Sequence, residues 1–269
     1  MRKRLMVSVL TAMLASGVAA AQSCHEGKTL TAGKLTIATG NPAFYPWVID
    51  DAPESGEGFE AAVAYALAAE MGIARDDVVW TRTSFDQAIQ PGAKDFDLNM
   101  QQFSITEQRD QVVDFSIPYY TAPMAVLVRG IDGLVPEMET LKGLKWGVVA
   151  STTALPVVLQ TIAPEESPLV YDDNINTVEA MKAGQIDAAL FDLPTALYLA
   201  AVVLEGGQVL GQFAPEQSDN PDHFGALMTE GNPLKECVDT ALATLKENGT
   251  LAAIEAEWLQ EATGVPLIR

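Results

Sequence analysis

Positive charge is scarce in this chain of 269 residues. Lysine and arginine number 16 against 36 aspartates and glutamates, a formal net charge of −20. Nucleic-acid backbones are gripped by clustered basic side chains, so no nucleic-acid partner is expected. An acidic surface also fits a freely diffusing protein better than one held to anionic lipid. Histidine is scarcer still. His25 and His223 stand far apart and share no ligand-type spacing with the two cysteines, so no metal site is expected. The sequence has no Gly-x-Ser-x-Gly nucleophile elbow and no Walker-type phosphate loop. Gly56-Glu57-Gly58-Phe59-Glu60-Ala61 loosely matches a dinucleotide fingerprint, but Asp51-Ala52-Pro53-Glu54-Ser55 before it reads as a turn, not a strand. It therefore reads as the turn that starts a helix, and no cofactor is expected.

Long apolar runs are missing after the first twenty residues. Those residues follow the secretory pattern: Arg2, Lys3 and Arg4, an apolar stretch from Leu5 to about Val18, then the small residues Ala19-Ala20-Ala21. The stretch falls short of the ~20 residues a membrane span needs. Residues 1–21 are therefore expected to be a cleaved signal peptide, and the mature protein to be exported, without a membrane span. Cysteine is limited to Cys24 and Cys237. In an oxidising compartment an even count suggests one disulfide, with two unpaired thiols as the alternative.

With 48% apolar residues, the chain has enough to build a core. Strand-like and helix-like segments alternate. Lys34–Thr39, Val78–Thr81, Phe96–Met100, Met124–Val128, Leu144–Val149, Ile186–Phe191 and Phe224–Met228 read as strands. Phe59–Met71, a short segment from Thr106, Thr152–Thr161, Val178–Ala183, Leu234–Glu247 and Thr250–Gln260 read as helices. The pattern predicts an α/β architecture with mainly parallel sheets. Pro118–Pro123 and Phe213–His223 interrupt it, which predicts two lobes joined by two hinge crossings: 22–122 in the first lobe, 123–214 in the second, and 215–269 back in the first.

The segment Asp97–Arg109 runs from a strand end into a helix start, with Thr106 suited to cap that helix. Ligands of α/β folds bind at this strand edge. A guanidinium there is a natural partner for a carboxylate, although an arginine by itself is as readily a surface ion pair.

Ser104-Ile105-Thr106-x-x-Arg109, followed by Val113-Asp114-Phe115-Ser116-x-Pro118-Tyr119, resembles the polar amino-acid-binding family of periplasmic solute-binding proteins. Further marks stand in order: Pro42–Trp47, Gly58-Phe59-Glu60, Gly184–Asp192, and Asn248-Gly249-Thr250-Leu251 with Trp258. The resemblance covers essentially all of the mature chain. It implies a two-lobed periplasmic-binding-protein fold, a small zwitterionic amino acid as ligand, and a membrane permease of an ABC importer as partner, with the receptor a monomer in the periplasm. By the same resemblance Arg109 would bind the ligand α-carboxylate with Ser104 and the Thr153 amide, and Asp192 would bind the α-ammonium. Gln102 would add a polar contact, Phe44 would stack over the ligand and Phe85 would line the pocket. Exported prephenate or arogenate dehydratases resemble the same family and are the alternative, with Glu57, Asp86 and Asp192 as candidate acids. A ligand-presenting partner for a membrane sensor is a third option. Arg82 reads as a solvated strand-end residue rather than a ligand contact.

Overall fold

The computed structural model describes residues 24–213, 222–259 and 264–269. The expected signal peptide lies outside the described residues. Among those described, no helix is long and apolar enough to cross a membrane.

Two five-stranded sheets form the scaffold. The first contains β1 (Leu35–Thr39), β2 (Val78–Arg82), β3 (Leu98–Asn99) and β4 (Val113–Phe115). β5 (Tyr120–Ala122) leaves this lobe, and β6 (Met124–Arg129), β7 (Trp146–Val149), β8 (Leu169–Tyr171), β9 (Ala188–Asp192) and β10 (Gly207–Gln212) build the second sheet. β11 (Asp222–Phe224) returns, and β12 (Leu227–Thr229) completes the first sheet. The strand orders are β2-β1-β3-β12-β4 and β10-β6-β9-β7-β8, and β5 pairs with β11 as a two-stranded antiparallel ribbon between them. That ribbon supplies the two hinge crossings.

Both sheets are mixed. β1 runs parallel to β2 and β3, whereas β12 runs antiparallel to β3 and β4. In the second sheet β7 runs parallel to β8 and β9, and β6 runs antiparallel to β9 and β10. The antiparallel members are the strands that enter each lobe from the hinge. They arrive without the helical crossover that a parallel neighbour requires.

The segment expected as one late strand, Phe224–Met228, is split between the ribbon and the first sheet. The break falls at Gly225, where an added Cβ would sit 2.9 Å from Ile105 Cδ1 and 3.0 Å from the Ser116 carbonyl oxygen. The chain end also departs from expectation. The sequence places 264–269 with 215–269 in the first lobe, but Leu267 bridges to Gln212, Arg269 exchanges backbone hydrogen bonds with Pro136 and Met138, and Ile268 enters the second lobe's core. Ile268 is the residue that core takes up, while Leu267 stays exposed. A helix at Leu193–Tyr198, continued in π-helical winding over Leu199–Val203, was not anticipated. Its start is hidden by Pro194, which breaks a helix interior yet suits the first turn.

The helix Phe59–Glu70 is buried over most of its circumference, including Phe59, Ala61, Val63, Ala64 and Leu67. Its alanines let helices Lys235–Glu247 and Thr250–Trp258 pack closely against it. Gly58 starts it at φ +102°, and a Cβ there would lie 2.6 Å from the Trp47 carbonyl oxygen. Glycine is thus what lets the Phe44–Trp47 loop sit on the helix.

The expected disulfide is present. Cys24 and Cys237 are joined across 213 positions of sequence, tying the start of the described chain to helix Lys235–Glu247. Closing so long a loop removes much of the unfolded chain's freedom, worth about 2–4 kcal/mol. The double variant Cys24→Ser/Cys237→Ser is expected to be less stable by that amount in urea unfolding, with a lower midpoint, while the oxidised wild type keeps its midpoint until a reductant is added.

Candidate functional site

The strand ends of both sheets face one another across a cavity of about 350 Å3. All seven residues singled out from the sequence line it: Phe44, Phe85, Gln102, Ser104 and Arg109 from the first lobe, and Thr153 and Asp192 from the second.

Arg109 sits in the short helix Glu107–Asp110, whose cap is the Thr106 side chain accepting from the Arg109 amide at 3.2 Å. Its guanidinium is buried. Nη1 donates to the Ser104 carbonyl at 2.8 Å, and Nη2 crosses the cleft to the Ser151 carbonyl at 2.7 Å. The guanidinium carbon lies 5.2 Å from the centroid of the Phe85 ring, and Phe85 stacks on Phe103 at 4.7 Å. Phe85 is therefore both a cavity wall and a face for the cation.

Asp192 ends β9 and caps the next helix, its Oδ1 accepting from the Thr195 amide at 2.9 Å. Burial pushes its carboxyl up to about 6, and the nearby Asp222 adds to the rise. An ammonium beside it would relieve both effects. The sequence predicts a regular helix over Thr152–Thr161, entered through the turn that holds Thr153. The helix there is Ala154–Pro156, followed by π-helical Val157–Ile162. The Thr153 hydroxyl donates to Asp222 Oδ2 at 3.1 Å.

Gln102 is positioned differently from expectation. At φ +52° it turns its backbone amide to Glu60 Oε1, at 2.7 Å, and its side-chain nitrogen to Glu60 Oε2. The same Glu60 accepts from the Tyr119 hydroxyl. A side-chain amide spent in this way offers the cavity only its remaining hydrogen-bonding capacity. Phe44 is half-buried, and its loop is braced: the Ala43 amide donates to Asp51 Oδ1 at 2.8 Å, and Arg82 holds the same oxygen at 2.5 Å. Arg82 thus belongs to the loop's support and not to the cavity lining.

The sequence does not single out Asp222 or Gln101, two of the further wall residues. Asp222 falls inside a polar, proline-containing break, and nothing local marks it as facing a cleft. Gln101 sits beside Gln102 in the motif without any period to distinguish it. His223, one position on, bonds Thr121 Oγ1 through Nδ1 at 2.8 Å across the hinge ribbon, and His25 bonds the Met71 carbonyl. Neither has a cavity role.

The lobes are shut. Trp47 Nε1 donates to Thr195 Oγ1 at 2.9 Å, and Tyr45 lies against Tyr198 with ring centroids 4.3 Å apart.

Burial raises Glu60 to about 7 against the hydrogen bonds that favour its ionised form. A carboxyl whose folded pKa is raised adds stability below the unfolded value near 4.5, and that contribution is lost as pH rises through about 7. Ligand-free protein is therefore expected to lose on the order of 3 kcal/mol between pH 4.5 and 7.5 from this group. Glu60→Gln should flatten that part of the profile in urea titrations across the range. Profiles of equal slope would show Glu60 ionised throughout.

Residues 35–261 match the model of bacterial extracellular solute-binding proteins, family 3. The chain is 26% identical over 262 residues to the L-cystine-binding protein TcyJ of Escherichia coli (strain K12), covering 95% of each chain. It is 26% identical to ABC transporter arginine-binding protein 1 of the same strain, covering 96% of this chain and 100% of that one. A solved ancestral arginine-binding protein bound to glutamine is similar at 28% identity and a TM-score of 0.70, over 86% of this chain and 100% of that one. With the family model spanning most of its length, the chain belongs to family 3 of the bacterial extracellular solute-binding proteins.

Proposed function

We propose that this chain is a periplasmic receptor that encloses one free, zwitterionic amino acid between its lobes and presents it to the permease of an ABC importer. The observation that carries the reading is the placement of opposite charges in one closed cavity: Arg109 on the first lobe and Asp192 on the second. An α-amino acid carries the complementary pair on one carbon. Its carboxylate meets a guanidinium supported by Ser104 and Thr153, and its ammonium meets Asp192. Phe44 and Phe85 supply the apolar walls that exclude water and strengthen both contacts.

A ligand touching both lobes favours the shut state over the open one, which is the differential affinity that closure requires. The hinge ribbon lets the lobes move while each sheet stays rigid. The names of the relatives, arginine- and cystine-binding among them, support the amino-acid class, and an ABC transporter is named with one of them. The exported monomer acts alone until it docks.

The family is one of binding proteins, and the dehydratase alternative gains nothing from the geometry. Glu57 is exposed and stands outside the cavity lining, Asp86 is exposed at its rim, and Asp192 is the group that meets the ligand ammonium in the reading above. Calorimetric titration of the folded wild type is expected to show one amino acid bound with micromolar affinity or better, about −8 kcal/mol. Arg109→Ala should show no heat with any α-amino acid while its circular dichroism is unchanged. Binding retained at full strength by that variant would remove the carboxylate role.

A further inference from the structure

The cavity wall holds a carboxylate that the amino-acid reading does not use. Asp222 begins β11, a strand of the hinge ribbon, and is 9% exposed. Its Oδ2 accepts from Thr153 Oγ1 at 3.1 Å. Burial pushes the Asp222 carboxyl up, and the Ser104 and Thr153 hydroxyls and the Arg109 charge oppose that rise; Ser104 Oγ lies 3.4 Å from Thr153 Oγ1. The groups set to receive a ligand carboxylate already face one belonging to the protein.

Charge balance gives this arrangement a consequence. Arg109 is the one cation among the described lining residues, and it faces both Asp192 and Asp222 from the walls. Asp86, Asp172 and Asp173 lie at the exposed rim, and Asp173 is spent as a helix cap, accepting from the Asn176 amide at 2.7 Å. Glu60 lies behind the wall, held by Tyr119 and Gln102. A neutral zwitterion matches Arg109 and Asp192 and leaves Asp222 without a counter-charge inside a closed site, which is unfavourable. A ligand with one further positive charge brings the sum to zero. The wall also holds an acceptor in want of a donor: Gln101 Oε1 is buried and has no hydrogen-bond partner among the described residues. In a closed site charge acts beyond direct contact, so Asp222 bears on the total charge of the guest.

We propose that Asp222 is a specificity-determining residue, which offsets Arg109 from the hinge strand and so selects an amino acid whose side chain is positively charged. This rests on the amino-acid reading above. Asp222 acts as much by rejecting neutral and acidic guests as by attracting cationic ones.

The test uses near-isosteric pairs that differ in side-chain charge, L-arginine with L-citrulline and L-lysine with L-norleucine, titrated calorimetrically into the full mature chain. In the wild type the cationic member of at least one pair is expected to bind tighter by about tenfold or more. Asp222→Asn, which keeps the size and the acceptor for Thr153, should bring that ratio to within about threefold of unity. Asp222→Ser serves as a second variant should the first fail to fold. Equal or inverted preference in the wild type overturns the proposal, as does a ratio that survives loss of the carboxylate. A folded wild type that binds none of the twenty amino acids overturns instead the reading on which the proposal rests. One that prefers a neutral amino acid overturns the role of Asp222 alone.

Discussion

The guanidinium of Arg109 is the group on which the closed site depends. It is buried, it donates to Ser104 on its own lobe and it reaches Ser151 on the other. A buried cation of this kind is tolerable only where acceptors and negative charge surround it. The surroundings supply both, through two carbonyls, the face of Phe85 and the charge of Asp222. The Ser151 contact is made only when the lobes meet. The charge proposed to recognise a ligand therefore also records whether the cleft is shut.

Closure is supported by a second set of contacts. Trp47 is fully buried, packs with ring centroids 5.7 Å from both Tyr120 and Phe224, and donates across the cleft to Thr195. Tyr120 and Phe224 are paired residues of the hinge ribbon itself. The Thr195 amide in turn donates to Asp192. One chain of contacts thus runs from hinge to tryptophan to the acidic wall of the cavity. On the other side, Glu60 joins Tyr119, which stands just before the ribbon, to Gln102 in the cavity wall. Hinge and cavity share neighbours, so the angle between the lobes and the shape of the site cannot vary independently.

Much of this organisation was legible in the amino-acid order. The strand and helix alternation, the two breaks and the Ser104–Arg109 spacing depend on local composition and period, and each has a short-range physical cause. Thr106 caps the Arg109 helix because a threonine at that position satisfies a free amide whatever the remainder of the chain does. The alanine-rich segment after Gly58 is helical for similarly local reasons. The cysteine pair could be named because an even count in a chain read as exported suggests one disulfide over two unpaired thiols.

What only the tertiary structure decided concerns groups whose meaning depends on distant partners. Asp222 is one acid among 36 acidic residues in the sequence, and it becomes a wall residue only when the hinge strand carries it beside Thr153, from another lobe and 69 positions away. Glu60 lies in an ordinary helix start until folding sets it against Tyr119, 59 positions on. The return of 264–269 to the second lobe and the splitting of Phe224–Met228 also follow from long-range fit, at Ile268 and Gly225. Local order determined which segments could form strands, helices and caps, because those preferences act within a few residues. The electrostatics of the cavity were decided by packing, because charge acts through space and takes no account of separation along the chain.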